Sequence, residues 1–506
     1  MTEHFHHWAM RTRRVWRSFW VLGLVAILLA STVPVPALAI PQSTDGDAQA
    51  TTLLLPSLLH AESVVGSEVS VKAHLPLVNN NRCNAMRPAD MPIGTQIYGD
   101  SGVASPYFEA IHTSYSSWLR VVVNWSLVEP NERSPRSYRW GTVDQAFAAA
   151  RDSCMNIIAI VERTPLWARQ SPGAEAIRAD KLDAFAEFMA AMAARYGGNG
   201  TNGMVVTHFE IYNEPDRRFS WGEAGERYAD MLKKVYPAVK AANPAAQIAL
   251  GGLAYTNFTD NGGIFVRSFF DDILAAGAGP YFDYMNFHCY PFVRSCRSYA
   301  ARQSSGMIEK YALLTEKLQA YQLTKPLIIT ETGWHSESDD EYAPSNDALQ
   351  ARKMVQLLTQ ARVLDAKVII WWMLNDPRPL YPYDTGLYTK IPDVRPRPAL
   401  AVYRQFISRA GSAQFLGVTS PADSPTDLEA YRFRNPRNGQ TFHIAWLNPV
   451  DDFGTTTKPL RVPGARATVL NVNGTQVATV LDGDDGNVDG QVTVQVGGSP
   501  VYIVIN

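Results

Sequence analysis

The chain has 506 residues, 46% of them apolar, with 46 basic and 48 acidic side chains and a formal net charge of −2. That length accommodates two or three domains and a large core. The balanced charge, with no basic stripe or charge block, argues against nucleic acid or an anionic membrane surface as partner, and a neutral one is expected.

In chain order, the first feature is a leader. Arg11, Arg13, Arg14 and Arg17 precede a continuous apolar stretch from Phe19 to Ala30, and Ala37-Leu38-Ala39 is a small-residue cleavage pattern. Together these predict a secretory signal peptide over residues 1–39 and an extracellular or periplasmic protein. The alternative is an uncleaved N-terminal membrane anchor, because the apolar run can be extended to Ile40. His4, His6 and His7 look metal-like but lie in the removable segment and are assigned nothing. Residues 40–85 read as a linker, with one possible extra strand within Ser67–Val78.

Over residues 86–410 short apolar runs alternate with helical periodicity. The runs are Ile93–Tyr98, Trp118–Val123, Ile157–Val161, Val205–Ile211, Gln247–Leu250, Tyr284–Phe287, Leu327–Thr330 and Val368–Trp372. Amphipathic stretches such as Val143–Ser153, Lys181–Arg195, Glu226–Ala241, Ile308–Gln322 and Leu349–Leu364 lie between them. This pattern predicts an α/β protein whose parallel strands close into a (β/α)8 TIM barrel. An open doubly wound sheet is the alternative, disfavoured because no Gly-rich phosphate loop follows the first strand. Over 411–506 the helical period gives way to alternating runs at 441–446, 467–472, 491–496 and 501–504, separated by Gly, Asn and Asp. They predict a C-terminal antiparallel β-sandwich domain. The acidic run from Asp482 to Gly490 lacks the glycine and closing glutamate offsets of a calcium loop and reads as a solvated hairpin turn.

Four cysteines fit export to an oxidising compartment and allow three pairings. Cys289 with Cys296, close together in one loop, and Cys83 with Cys154, both just before strands, are the favoured bridges; free buried thiols are the alternative, chiefly for the second pair. The spacing gives no zinc site, and no metal or other cofactor is expected.

The chemistry lies at the strand ends. Asn213-Glu214-Pro215 closes the fourth run, and Glu331-Thr332-Gly333-Trp334 follows the seventh. Active sites of such barrels sit at the C-terminal strand ends. Two glutamates there can face one another across the mouth, supplying the proton donor and the nucleophile or base that glycosidic hydrolysis needs. Arg120 and Tyr290 are expected to hydrogen-bond Glu331 and keep it charged, leaving Glu214 to hold its proton. For Arg120 a plain ion pair with Glu210 is the competing reading, and for His288 a satisfied core histidine. Glu129, Glu162 and Glu210 rank below the pair because they lack its flanks or lie within a strand. Trp125, Trp167, Trp221, Trp334 and Trp372 fall at strand ends or in the following loops, and each is either a sugar-stacking face or core.

Asn213-Glu214-Pro215, the strand ending in Glu331, His288-x-Tyr290, Thr164-Pro165-Leu166-Trp167-Ala168 and Trp372-Met373-Leu374-Asn375-Asp376, taken in barrel order, resemble the clan A glycoside hydrolases, families 39 and 5. The resemblance runs from about Pro92 to Ala410. It implies that Glu214 is the acid/base, Glu331 the nucleophile, and that anomeric configuration is retained. It also implies that Trp372 floors the sugar-cleaving subsite, with Arg120, Asn213, His288, Tyr290 and Trp167 in support. The expected partner is an oligo- or polysaccharide, the expected state a monomer free of membrane once the leader is removed. The alternatives are a non-catalytic carbohydrate-binding barrel and a transglycosylase using the same residues.

Overall fold

A computed structural model of the chain describes residues 91–97, 105–198, 200–291, 305–337, 344–376, 383–390, 393–419, 427–450 and 454–506. The expected signal peptide (1–39), the linker (40–85), Cys83 and Cys296 lie outside the described residues. Among the described residues no helix is long and apolar enough to cross a membrane.

The eight apolar runs are eight parallel strands: β1 Ile93–Gln96, β2 Trp118–Asn124, β3 Asn156–Glu162, β4 His208–Ile211, β5 Gln247–Leu250, β6 Met285–Cys289, β7 Leu327–Thr332 and β8 Ile369–Trp371. Their ladder order is β5-β4-β3-β2-β1-β8-β7-β6. The remaining edges, β5 and β6, meet through the parallel bridges Ala249–Tyr284 and Leu253–Phe287, which close the barrel. The anticipated amphipathic helices are present as Gly141–Asp152, Leu182–Arg195, Gly225–Ala242, Met307–Ala320 and Asp347–Val363. Helices Ser105–Thr113, Phe269–Ala275 and Pro398–Phe406 were not anticipated; at 9, 7 and 9 residues each offers little periodicity to read.

Side chains alternate across a strand with period two, and here that period sorts the interior into layers. Trp118, Ile158, Ala249, Ile328, Val368 and Ile370, with Tyr284, form an apolar floor. Two residues further along their strands, Trp118 gives way to Arg120 and Ile328 to Thr330; both are buried, as is Glu210 of β4. The sequence thus places a polar layer directly on an apolar one, nearer the C-terminal side of the barrel. The floor needs Gly94. A Cβ there would lie 2.4 Å from the Trp118 Cβ and 2.8 Å from the Ile370 Cδ1, so a larger residue on β1 would evict the indole.

The C-terminal region is a six-stranded antiparallel sheet with a two-stranded ribbon. The sheet order is β14-β13-β16-β11-β10-β9, with β9 Gln414–Val418, β10 Leu428–Arg434, β11 Thr441–Leu447, β13 Arg466–Leu470, β14 Gln476–Leu481 and β16 Val501–Ile505. The ribbon is β12 Lys458–Pro463 with β15 Gln491–Val496. Ribbon residues Leu460, Val462, Val492 and Val494 pack on Ala430, Ala445, Val469 and Ile503 of one sheet face, making the expected small sandwich. The other face, through Tyr431, Phe433, Phe442, Ile444 and Trp446, joins the barrel's own core. Helix Asp347–Val363 lies between: Gln356 donates to Asn448 Oδ1 (3.1 Å), Gln360 to Glu429 Oε2 (2.9 Å) and Arg362 to the Ala413 carbonyl (2.9 Å). The acidic run 482–490 is an exposed turn, as expected, but not that of a hairpin: the strands it joins, β14 and β15, pair with β13 and β12 in different sheets. Asp482 accepts from the amides of Asp489 and Gly490, and Asp485 from the amide of Asn487.

The Gly94 contact makes a direct prediction. Gly94→Ala should lower stability by about 1–3 kcal/mol through overpacking, seen as a fall in the denaturant midpoint. An unchanged midpoint would show that the floor can rearrange around a methyl group.

Candidate active site

Glu214 reaches the barrel mouth because the chain turns sharply after β4. Tyr212 and Glu214 take left-handed backbone angles, φ 64° and 41°, a region that non-glycine residues occupy at a cost of about 1–3 kcal/mol each. Asp216, just beyond, braces the turn by accepting the amides of Ala254 (3.2 Å) and Tyr255 (2.7 Å). Glu331 is brought in by a different device. A regular strand would point Thr330 and Glu331 to opposite faces. The ladder between β6 and β7 shifts between Asn286 and His288, pairing His288 with Glu331, and the β7–β8 ladder shifts between Ile329 and Thr332. That irregularity re-aims the carboxylate into the mouth, as bulges beside active sites do.

Arg120, 2% exposed, joins these elements. Its guanidinium donates to both oxygens of Glu210 (2.8 and 2.9 Å), to Asn213 Oδ1 (2.9 Å), to Gln96 Oε1 (2.7 Å) and to Glu331 Oε1 (2.6 Å). The two readings of Arg120 are therefore both realised: one edge of the fork pairs with Glu210 while the other holds Glu331. Tyr290 donates its hydroxyl to Glu331 Oε2 at 2.7 Å. His288, fully buried, places Nδ1 3.1 Å from Glu214 Oε1 and 3.6 Å from Glu331 Oε2, with Nε2 3.1 Å from the Thr330 hydroxyl. It is a buried histidine that touches both carboxylates. The ring fits because residue 252 is glycine; a Cβ there would lie 2.1 Å from Nε2.

These contacts set the charges. Burial by itself would raise the Glu331 carboxyl. The charges of His288 and Arg120, with the hydrogen bonds from Tyr290 and Arg120, outweigh burial and hold it below the ordinary carboxylate value of 4.5. Burial would lower His288, but Glu331 and Glu214 outweigh it and raise the imidazole above its ordinary value. Arg120 is opposed by burial, yet Glu210 and Glu331 push it further up, so it stays charged throughout.

One oxygen of Glu214, one of Glu331 and a ring nitrogen of His288 all lie within 4.8 Å of one another. A divalent ion could use such a donor set, but Arg120 already occupies one oxygen of Glu331, and a proton on His288 competes for its nitrogen.

The structure brings Arg120, Asn213, Glu214, His288, Tyr290 and Glu331 together. Trp372 stands edge-on to Tyr290, ring centroids 6.0 Å apart, while the neighbouring Trp371 is fully buried. Trp167 is half-buried. Its indole donates to the Glu129 carbonyl (3.1 Å), and its ring meets Trp125 and the Arg136 guanidinium, each at 5.4 Å. Trp125 and Trp221 are enclosed by other aromatic rings and are core. Trp334 is also buried and stacks on His335. The competing carboxylates have other partners: Glu129 accepts from Trp125 and Arg136, and Glu162 faces Arg163 at 3.3 Å. Cys154 and Cys289 are disulfide-bonded. Gln96, Thr330, Asp216 and Gly252 escaped notice, since each is a small or uncharged residue, or an acid in a loop, with no spacing to mark it.

The family model described as Cellulase (glycosyl hydrolase family 5) matches residues 84–377, more than half of the chain. No curated protein matches it in sequence. Among solved structures it is similar to a family 39 glycoside hydrolase from the gut symbiont Bacteroides cellulosilyticus WH2, at 18% identity and TM-score 0.60, over 84% of this chain and 82% of that one. It is similar to a GH30 endoxylanase from Clostridium papyrosolvens C71, at 13% identity and TM-score 0.52, over 82% of this chain and 96% of that one. It is also similar to the GH39 enzyme from Xanthomonas axonopodis pv. citri, at 14% identity and TM-score 0.51, over 83% and 94%. At these identities the likeness speaks to the fold.

Two substitutions test the electrostatics. Tyr290→Phe removes a hydrogen bond to the charged form of Glu331, so the acid limb of the pH–rate profile should move up by about one unit. An unmoved limb would mean that Glu331 does not control it. Gly252→Ala should displace the imidazole and lower turnover about a hundredfold; wild-type turnover would detach His288 from the reaction.

Proposed function

The chain belongs to the cellulase family, glycosyl hydrolase family 5, and from that premise we propose that it is a secreted, retaining enzyme that cleaves β-linked glycosides or polysaccharides. In this reading Glu214 is the acid/base and Glu331 the nucleophile. The observation that carries it is the approach of a Glu214 oxygen to within 4.8 Å of a Glu331 oxygen. Retaining enzymes hold their two carboxyl groups about 5–5.5 Å apart, too close for an intervening water, whereas inverting enzymes need about 6.5–9.5 Å.

In the first step Glu331 attacks the anomeric carbon as the bond to the leaving oxygen breaks, and Glu214 gives that oxygen its proton. The product is a glycosyl ester of Glu331. Its formation removes the negative charge that faced Glu214, which next acts as base. Glu214 then takes a proton from water, water attacks the anomeric carbon, and the ester bond to Glu331 breaks. Arg120 and Tyr290 keep Glu331 ionised before attack and receive its charge back afterwards. In the same reading Asn213, which accepts from Arg120, meets the sugar 2-hydroxyl, and Trp372, edge-on to Tyr290, floors the ring. The family's description favours β-linked glucose chains as first substrates to try.

Secretion is supported by the leader pattern and by the bonded state of Cys154 and Cys289. Cys154 precedes β3 and Cys289 ends β6, at opposite ends of the barrel. Pairing Cys289 with Cys296, seven residues on, and Cys154 with Cys83 suits both positions.

Turnover of activated aryl β-glycosides tests the roles. Glu331→Ala should abolish it. Glu214→Ala should lose about 10²- to 10⁴-fold on poor leaving groups, lose much less on 2,4-dinitrophenyl glycosides, and recover with azide as replacement nucleophile. Sugar binding without turnover in the wild type would favour a binding protein, and dominant oligosaccharide synthesis a transglycosylase.

A further inference from the structure

The barrel ladder is thinnest between β5 and β6. There the strands meet through two isolated bridges, with main-chain bonds from Leu250 to Tyr284 (3.1 Å), Leu253 to Asn286 (3.2 Å) and His288 to Leu253 (2.9 Å). The next residue on the β5 side, Ala254, is held by two buried titratable side chains. Asp216, 1% exposed, accepts its amide hydrogen. Lys310, fully buried, donates from Nζ to its carbonyl and also to the carbonyl of His288 at 2.8 Å. The Asp216 carboxyl and the Lys310 amine thus grip the two polar ends of one residue, and the amine carries the grip across the seam.

Lys310 is an unfavourable residue for that position on two counts. An ammonium loses several kcal/mol of hydration on burial, by an order-of-magnitude reckoning. It also sits in the first turn of helix Met307–Ala320, where the helix dipole disfavours a cation. Burial lowers Lys310 to about 7, against the pull of Asp216 and Glu214. A residue needed only to fill space there would be apolar. Both ends of the frame lead to the reacting groups: Asp216 is two residues past Glu214, and His288 carries the imidazole that touches Glu214 and Glu331.

We propose that Lys310, backed by Asp216, is a positioning residue for the glycosidase reaction, stapling the β5–β6 seam so that the His288 ring is fixed between the two glutamates. This rests on reading Glu214 and Glu331 as the catalytic pair.

The test compares Lys310→Met, Lys310→Gln and Glu331→Ala with the wild type on 4-nitrophenyl and 2,4-dinitrophenyl β-glucosides, β-xylosides and β-cellobiosides. Lys310→Met should lower kcat about 10- to 100-fold with KM nearly unchanged. The loss should be greater for the 4-nitrophenyl leaving group, which needs the Glu214 proton in place. Lys310→Gln, which keeps a donor, should recover part of it and supplies the reading if the Met variant does not fold. A kcat within twofold of wild type, an equal loss on both leaving groups with a lowered Tm, or failure of both variants to fold would overturn the proposal. An inert Glu331→Ala beside an unaffected Lys310→Met overturns this proposal alone. An active Glu331→Ala overturns the catalytic pair, and this proposal with it.

Discussion

The Arg120 guanidinium is the interaction on which the barrel mouth depends. It joins β2 to the end of β1 through Gln96, to β4 through Glu210, to the turn after β4 through Asn213, and to β7 through Glu331. A guanidinium suits this position because its planar fork meets a carboxylate edge-on and still has donors for others, which a lysine ammonium cannot do with the same geometry. Burying so many charges is unfavourable unless each is satisfied. Glu210 supplies the compensation that lets Arg120 sit beneath the mouth, and Arg120 supplies the compensation that lets Glu331 stay ionised in a nearly dry site. Removing Glu210 would leave Glu331 as the one carboxylate paired with this cation, so Glu210 governs the electrostatics of Glu331 without touching it.

Around this centre the fold divides labour by layer. The apolar floor of Trp118, Ile158, Ile328 and Ile370 seals the barrel below and forces the polar layer above it to satisfy itself internally. Thr330 is the link between the two arms of that layer: its hydroxyl donates toward Glu210 and Asn286 and meets His288 Nε2. The imidazole is therefore fixed at both nitrogens, and its ring plane is set by the glycine at 252. Preorganisation of this kind means that little rearrangement would accompany the charge movement of the proposed reaction. Outside the barrel, the C-terminal sheet covers helix Asp347–Val363, the helix that follows β7. One sheet face is continuous with the barrel core, so this domain belongs to the same packed body as the strand carrying Glu331.

Much of this was legible in the sequence. Buried parallel strands are short apolar runs, and all eight stood out because their inward and outward faces are both covered. Glu214, Glu331 and Tyr290 were legible because they stand where those runs end. Less visible was whatever depends on pairing across the barrel. Glu210 looked like a competing acid within a strand; only the geometry reveals that Arg120 takes both its oxygens. Lys310 lies in an amphipathic helix where a lysine ordinarily marks the solvent face, and its burial comes from the β5–β6 seam, which no local pattern encodes. The aromatic residues were ambiguous for a related reason: Trp125 and Trp221 turn into the core while Trp372 faces Tyr290, a choice made by neighbours distant in sequence. In the C-terminal region β12 was missed because it carries proline at both Pro459 and Pro463, which reads as a loop although its Leu460 and Val462 are fully buried.

In the proposed mechanism the Glu331 carboxylate bonds directly to the anomeric carbon. The most direct measurement is to trap that bond with a 2,4-dinitrophenyl 2-deoxy-2-fluoro-β-glycoside of the sugar the enzyme turns over, then to map the label by peptide mass spectrometry. Direct attack by Glu331 should give stoichiometric release of dinitrophenol, loss of activity, and a single fluoroglycosyl group on the peptide containing Glu331. A label on another carboxylate, or turnover of the parent glycoside with inversion at the anomeric carbon, would contradict it.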